Sequence, residues 1–228
     1  MGTVLDNWDL VVRALSYTVL LFLISGFLSL AFGTLLAAMR VGPVAPLRTA
    51  ATVYVGIFRN TPLLIVLIFF RIAGPKVGIQ FNFVDLVVGE FRINNLFAAC
   101  VAALTVYTSA FVCEALRSGV NAVPLGQAEA ARAIGLPFGG TMTQVVLPQA
   151  FRAAIPPLAS VQIALLKNTT VTGVFGVSEA FFRMRFFTNN EPGDRYGIFL
   201  TFALIFVVLV EVVSFLANRL ERRWRVPA

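Results

Sequence analysis

The chain has 228 residues, of which 58% are hydrophobic and only 13% charged, with 22 phenylalanines and a formal charge of +7. A soluble domain of this length is closer to half apolar and a quarter charged, so the composition favours a membrane protein. The absence of histidine excludes a Ser/His or Cys/His nucleophile pair and disfavours a transition-metal site. The basic residues are scattered between apolar runs rather than gathered on one polar face, which argues against nucleic-acid binding.

The N-terminal region is predicted to be a retained span. A cleavable signal peptide has a basic start and an apolar stretch of about 7–15 residues. Here the start carries Asp6 and Asp9, and the apolar region from Leu10 to Met39 is about twice that length.

A helix needs about 20 apolar residues to cross the hydrocarbon core, and five stretches of the sequence meet this requirement. The second stretch is interrupted by Arg59-Asn60-Thr61-Pro62, where the proline favours a bend. We therefore predict an all-α integral membrane protein in which residues 1–228 form one transmembrane domain. The predicted spans cover about residues 15–38, 49–72, 96–113, 155–175 and 198–217.

Five spans place the two termini on opposite sides of the membrane. Placing the C-terminus inside puts nine basic residues in the inner segments and seven in the outer ones. Lys and Arg are enriched in cytoplasmic segments, so the N-terminus is expected outside and the C-terminus inside. The bias is concentrated after the last span, in Arg219, Arg222, Arg223 and Arg225.

The polar segment from Glu114 to Arg152 is predicted to form two short helices. Strong helix formers fill residues 127–133, Gly135 follows them as a natural C-cap, and Pro137 prevents continuation. A second helix could run from Phe138 to Val146 and break at Leu147-Pro148. Such a hairpin beside the membrane is either a docking surface for a partner or a plain surface loop.

The same segment resembles the EAA-loop signature of ABC importer permeases. Glu129-Ala130-Ala131, Gly135 and Leu147-Pro148 stand at its spacing, and Val145 replaces the usual isoleucine. The resemblance implies the type I ABC importer permease fold, with about five transmembrane helices and a cytoplasmic loop whose coupling helices enter a cleft of the ATPase subunit. It makes candidate ATPase-coupling residues of Glu129, Ala130, Ala131, Gly135, Leu147 and Pro148.

Further motifs resemble the polar amino-acid permeases within that family. The segment from Phe58 to Leu64 is similar to their Arg-Gly-Thr-Pro-Leu-Leu sequence, with Asn60 in place of glycine. Leu166-Lys167-Asn168-Thr169-Thr170, followed by Gly176-Val177-Ser178-Glu179, is similar to their fourth-span motif. Together with Tyr107-Thr108-Ser109, these motifs most resemble glutamate permeases of actinobacteria. Glutamate is therefore the leading expected substrate, with glutamine, aspartate, arginine and histidine as alternatives.

The resemblance also implies the partners and the location. We expect a second permease subunit, identical or related, a cytoplasmic ATPase dimer, and an extracytoplasmic binding protein that largely sets substrate choice. The chain itself is expected to be non-catalytic and free of metal and cofactor, because ATP and Mg²⁺ would be bound by the ATPase. The expected location is the bacterial cytoplasmic membrane, surrounded by lipid, with no nucleic acid bound.

Charged residues inside the spans are costly and usually face a cavity, a partner subunit or the interface. One interpretation is a polar translocation path between the second and fourth spans, lined by Arg59, Asn60, Thr61, Lys167, Asn168, Thr169 and Thr170. The other is that Arg59 extends to the interface and Lys167 pairs with a carboxylate of the neighbouring subunit. Glu211 in the fifth span is interpreted mainly as structural.

A secondary transporter is the main alternative from another class. It would need its own ion-coupling site and commonly shows paired inverted halves. Five predicted spans without internal symmetry argue against it, and no ring-forming filter sequence supports a channel.

Overall fold

The computed structural model describes residues 2–82, 84–88 and 91–224, so Arg225 lies outside the described part. Ten α-helices, five short 3₁₀ or π-helical segments and one β-hairpin make up the regular structure described there. In chain order these are α1 (Gly2–Asp6), α2 (Trp8–Val41), α3 (Ala45–Asn60), α4 (Leu63–Ile68), β1 (Leu86–Val88), β2 (Phe91–Ile93), α5 (Asn95–Asn121), α6 (Leu125–Ala133), α7 (Phe138–Gly140), α8 (Leu147–Asn168), α9 (Ala180–Asn190) and α10 (Arg195–Trp224).

Several described helices are suited to a membrane. Three stretches are long and apolar enough to cross it: Trp8–Val41, Asn95–Asn121 and Pro192–Arg223. A fourth would be a pair of helices, Ala45–Asn60 and Leu63–Val77, that meet at 105°. The molecule is therefore a nearly all-helical, multi-pass membrane protein.

The bend in the second predicted span follows from one proline. Pro62 has no N–H to donate, and its ring disfavours a helical conformation in the preceding residue. Thr61 accordingly takes an extended conformation, with φ −98° and ψ 130°, and Pro62 becomes the N-cap of α4. The expected bend is confirmed, and it is sharp enough to turn one predicted span into two helices.

The fourth predicted span has different bounds in the structure. Helix α8 begins at Leu147 rather than near residue 155, and after Asn168 the chain continues as a 3₁₀ helix over Thr169–Phe175. This helix is absent from the described stretches that are long and apolar enough to span. The sequence gives the reason, because Pro156, Pro157, Gln162 and Lys167 interrupt its apolar residues. The five-span topology stays a prediction.

Two bounds of the predicted polar segment were wrong. Helix α5 extends to Asn121, so the residues from Glu114 to Asn121 belong to a long helix and not to a loop. The predicted break at Leu147-Pro148 is also absent, since the backbone stays helical from Phe138 to Asn168. A π-helical stretch over Thr141–Val146 precedes the proline. Such wide turns shift the hydrogen-bond register, and a proline in the first turn of α8 needs no N–H partner.

Helix α5 forms the centre of the packing and contacts α2, α3, α4 and α8. Small residues allow this close approach, as membrane helices generally require. A Cβ atom at Gly33 of α2 would stand 2.5 Å from the side chain of Val112 in α5. A buried apolar cluster surrounds α5 and includes Leu21, Leu67, Leu104 and Leu165.

The segment between α4 and α5 contains the only β structure in the described residues. Strands β1 and β2 pair antiparallel, with Leu86 opposite Ile93 and Val87 opposite Arg92. Phe91 packs edge-on against Tyr17 of α2, with the ring centroids 5.3 Å apart. The all-α prediction therefore missed a two-stranded hairpin that lies against α2.

Candidate coupling surface and translocation site

Helix α6 ends at a glycine whose conformation the sequence predicted. Gly135 has φ +93°, a region that favours glycine because it lacks a Cβ atom. Its N–H donates to the carbonyl of Arg132 at 2.9 Å, and the N–H of Leu136 donates to Ala131 at 3.1 Å. These two bonds form a Schellman motif, which ends α6 and turns the chain back. The predicted C-cap is confirmed.

The second half of the hairpin packs against the first. Helix α6 contacts the π-helical stretch Thr141–Val146, where Thr141 and Val146 are buried. Gln149 donates a hydrogen bond to the side chain of Gln127 in α6, and another to the carbonyl of Val145 at 2.9 Å. The two helical segments therefore form a folded hairpin between α5 and α8 rather than an irregular loop.

The predicted coupling residues divide into two groups. Glu129, Ala130, Gly135, Leu147 and Pro148 are exposed and available to a partner, whereas Ala131 is buried. Burial of Ala131 places it in the packing inside the hairpin.

Sequence reasoning missed the apolar side chains at the surface of this hairpin. Leu125 is 78% exposed, Ile134 80%, and Phe138 also projects into solvent. Several large exposed apolar side chains on one hairpin indicate an interaction surface. The available signal was their placement at the start and end of α6 and directly after Pro137.

Arg59 takes part in an ionic cluster centred on Glu114. Glu114 of α5 pairs with Arg40 at the end of α2, with Arg117 at 2.9 Å and with Arg59 at 3.4 Å. Glu114 is largely shielded, while the side chain of Arg59 is 48% exposed. The cluster joins the ends of α2 and α3 to α5. The sequence signal for it was the Glu114 and Arg117 pair, three residues apart on one helix.

Asn60 and Thr61 use their polar groups locally. The Asn60 amide donates to the carbonyl of Gly56 at 2.8 Å, and the Thr61 hydroxyl donates to that of Ile57 at 2.8 Å. Both bonds satisfy carbonyls in the last turn of α3, where the bend at Pro62 interrupts the helical pattern.

The residues predicted from the fourth span lie around the end of α8. Lys167 is exposed, and the hydroxyls of Thr169 and Thr170 donate to the carbonyls of Leu166 and Lys167, each at 2.7 Å. Asn168 lines an open groove of about 400 Å³ between α5 and α8. The other groove residues are Tyr107, Thr108, Phe111, Ser160, Val161, Ala164 and Leu165.

The two halves of the predicted path do not meet around this groove. Arg59 and Asn60 end α3, and Thr61 stands in the break before α4. Both of these helices pack on α5, and α8 packs on α5 as well. The groove is lined by α5 and α8 alone, and none of those three residues reaches it. Tyr107 and Ser160, which do line it, were not among the predicted path residues.

Glu179 is a buried carboxylate that caps α9. Its two oxygens accept hydrogen bonds from the N–H groups of Phe181 and Phe182, at 2.9 and 2.8 Å. Burial raises the pKa of Glu179 to about 8, although both N–H donors oppose this shift. A Cβ atom at Gly173 would overlap the carboxylate. Glu179 therefore holds α9 against the 3₁₀ helix that follows α8.

The described residues contain no cluster of three or more His, Cys, Asp or Glu side chains that could hold a metal ion. Cys100 and Cys113 are both buried and free.

Comparison with known proteins identifies the family. Residues 29–226 match the family described as binding-protein-dependent transport system inner membrane component. The chain is 40% identical over 206 residues to a glutamate transport system permease protein, GluC, of Corynebacterium glutamicum, covering 90% of each chain. It is 32% identical over 218 residues to a probable glutamine ABC transporter permease protein, GlnM, of Bacillus subtilis, covering 96% of this chain and 94% of that one.

Solved structures agree with this result. The fold resembles that of an amino acid ABC transporter crystallised with histidines, with a TM-score of 0.84, 26% identity and 97% of each chain covered. It also resembles the inward-facing MetNI methionine ABC transporter, with a TM-score of 0.74 and 23% identity over 96% of this chain and 98% of that one. The chain belongs to the family of binding-protein-dependent transport system inner membrane components, the permease subunits of ABC importers, and has their type I fold.

Proposed function

We propose that this chain is the permease subunit of an ABC importer that translocates a polar amino acid, most readily glutamate. The observation that carries the substrate is the similarity to two glutamate transport system permeases, at 40% and 42% identity. Relatives named for glutamine, at 32% and 34% identity, make glutamine the second candidate. One relative at 28% identity is named for glutamate and aspartate together.

The hairpin formed by α6, α7 and the π-helical stretch is the proposed contact with the ATPase. Ile134 and Phe138 stand on either side of the Schellman turn, and Leu125 stands at the start of α6; these exposed apolar side chains are suited to a protein cleft. Because the hairpin lies between α5 and α8, a displacement of it would act on both helices. ATP and Mg²⁺ would be bound by the ATPase dimer, and the permease chain would be non-catalytic.

The groove between α5 and α8 is proposed to contact the substrate during transport. Its hydroxyl and amide groups, from Tyr107, Ser160 and Asn168, can hydrogen-bond a zwitterion. Lys167 at the same helix end would favour a second carboxylate in the substrate. Thr169 and Thr170 complete the polar end of α8. In contrast, the ion pair between Arg59 and Glu114 supports a structural role for Arg59 and for its neighbours Asn60 and Thr61.

A second permease subunit is proposed to close this groove. The groove is open on one side, and Glu211 is an exposed carboxylate within the apolar helix α10. Charges inside a span usually face a partner or a cavity. An extracytoplasmic binding protein would deliver the substrate at the face opposite the hairpin, with the N-terminus outside and the C-terminus inside the bacterial cytoplasmic membrane.

The test is reconstitution of the permease with its ATPase in liposomes. Binding protein loaded with glutamate is expected to stimulate ATP hydrolysis and glutamate uptake, and loading with glutamine, aspartate, arginine or histidine at matched saturation ranks the alternatives. Uptake that follows an ion gradient without ATP would instead indicate a secondary transporter. Failure to co-purify with any ATPase would contradict the role of the hairpin.

A further inference from the structure

Two cavities adjoin between α9 and α10, on the part of the molecule away from the coupling hairpin. One has a volume of about 380 Å³ and the other about 200 Å³, and Met184 and Phe199 line both. We call them together the α9–α10 groove. No step proposed for transport uses this groove, although its smaller cavity reaches Thr170.

The larger cavity is the polar end of the groove. It is lined by the guanidinium-bearing residues Arg185 and Arg195, with Thr188, Asn189 and Tyr196 beside them. Within the described residues neither arginine forms an ion pair. Two unpaired guanidiniums with an adjacent amide are suited to an anion, and the planar fork of arginine matches phosphate in particular.

The acidic residues that lie near these two arginines in the sequence do not line the cavity as counter-ions. Glu191 and Asp194 lie in the turn between α9 and α10, but neither lines the cavity. Asp194 instead hydrogen-bonds Thr3 of α1. Arg185 lies over the ring of Phe181, with the guanidinium carbon 6.0 Å from the ring centroid. Its charge is thereby held at the junction of the polar and apolar ends.

The smaller cavity is the apolar end. Phe199, Phe202 and Phe206 of α10 line it, with Phe181 of α9 opposite. The three α10 residues follow Arg195 at helical spacing along one face. At 1.5 Å per residue, Arg195 and Phe206 are separated by about 16 Å along the axis, close to half of a hydrocarbon core of about 30 Å. The groove thus has the length of one acyl chain.

Helix α10 is an apolar span that the rest of this chain leaves largely uncovered. Only 11% of its most apolar window is buried within the chain. A groove that begins at two cations and continues along an exposed, apolar helix of membrane-spanning length fits a molecule with an anionic head and a hydrocarbon tail. Basic pockets between membrane helices are a known form of lipid recognition.

We propose that the α9–α10 groove binds an anionic phospholipid, with its phosphate between Arg185 and Arg195 and one acyl chain along Phe199, Phe202 and Phe206. Bound in this way, the lipid would join α9 to α10 and occupy the space between two helices that otherwise leave a cavity. The site is separate from the groove between α5 and α8 and does not depend on which amino acid is transported.

The experiment uses the full permease–ATPase complex in nanodiscs of phosphatidylcholine with a few per cent of phosphatidylglycerol. A photoreactive group is placed on the acyl chain of either lipid, and the labelled peptides are identified by mass spectrometry. The expected result is labelling of residues 199–206 by the phosphatidylglycerol probe, reduced about tenfold in the double variant Arg185→Gln/Arg195→Gln. Arg48→Gln, which removes an exposed arginine of α3, should leave labelling of residues 199–206 unchanged.

A second variant tests the apolar end with both arginines intact. Ala203 lines the smaller cavity, and Ala203→Phe should fill it and lower labelling to a similar extent. Each variant is required to retain the elution profile and ATPase activity of the wild type. If either variant misfolds, the proposal is tested by competition between labelled and unlabelled lipid on the wild-type complex. Unlabelled phosphatidylglycerol should then displace the phosphatidylglycerol probe, whereas unlabelled phosphatidylcholine should not.

Three results would overturn the proposal. Equal labelling by the two lipids would mean that the arginines do not select a head group. Displacement of the probe by millimolar inorganic phosphate would indicate a site for a free anion. Loss of labelling on addition of the binding protein would assign the groove to a protein contact.

Discussion

Gly119, in the last turn of α5, lies directly against the main chain of Ala150 in the first turn of α8. A Cβ atom at position 119 would overlap the carbonyl oxygen of Ala150 and stand 2.8 Å from the Cβ of Ala154. These two helix ends flank the coupling hairpin. The close approach therefore fixes the distance between the two helices that the hairpin connects.

Gly119→Ala is expected to destabilise the permease. The methyl group would force α5 and α8 apart, and overpacking of this kind costs about 1–3 kcal/mol. Thermal unfolding of the purified complex measures the effect. Gly126→Ala is the matched control, because nothing lies within 4 Å of a Cβ atom at that position. Equal melting temperatures for the two variants would contradict the close packing of α5 on α8.

Glu114→Gln is expected to cost about 1–3 kcal/mol of stability, because three arginines would lose the carboxylate that they share. Asp85→Asn removes the acid of an exposed pair with Arg92, where the expected loss is much smaller because solvent screens both charges. Denaturation of both variants in the same detergent makes the comparison. A larger loss of stability in Asp85→Asn than in Glu114→Gln would contradict a stabilising role for the Glu114 cluster.

Gly135→Val is expected to insert into the membrane normally but to lose transport, with ATPase activity no longer responding to substrate. The φ of +93° is costly for any residue with a Cβ atom and most costly for a β-branched one. Gly56→Val is the control, since that position has no positive φ and no neighbour within 4 Å. Normal uptake by Gly135→Val at wild-type abundance would contradict a role of this turn in coupling.

Lys167→Met is expected to reduce glutamate uptake roughly five- to a hundredfold. Loss of one charge-assisted interaction costs about 1–3 kcal/mol, and each 1.4 kcal/mol lowers the transport rate by about a factor of ten. A neutral amide substrate should be affected less, when both are compared in liposomes at matched binding-protein saturation. Arg48→Met controls for general loss of positive charge. Equal losses for the two substrates would assign Lys167 to the fold or to a subunit contact.

Cysteine labelling tests the orientation. Asn82→Cys should react with an impermeant reagent added outside, because Asn82 is exposed in the segment between α4 and β1. On the inner side Thr143 is a suitable position, whereas Thr141 is only 3% exposed and would react poorly on either side. The native Cys100 and Cys113 are buried and should contribute little background. Labelling of Thr143→Cys from outside would reverse the topology.

The sequence by itself determined the features that depend on neighbouring residues. Long apolar runs identified the helices α2, α5 and α10, because the cost of placing polar groups in lipid depends on local composition. Pro62 predicted the bend, and Gly135 predicted the end of α6, because both act on the backbone of adjacent residues. This local reasoning failed at Pro148, where a wide π-helical turn precedes the proline and the chain stays helical, and at the β-hairpin before α5.

The tertiary structure alone decided which distant residues meet. Arg59 and Lys167 are both isolated charges in apolar sequence, yet Arg59 pairs with Glu114 and Lys167 lies at the exposed end of α8. Their separation follows from the packing of α3 and α8 on α5, which no local pattern encodes. The ionic cluster likewise joins helices that are far apart in the chain, and the α9–α10 groove depends on how two successive helices pack. Because long-range packing depends on the shapes of whole helix faces, these sites became visible only in the folded molecule.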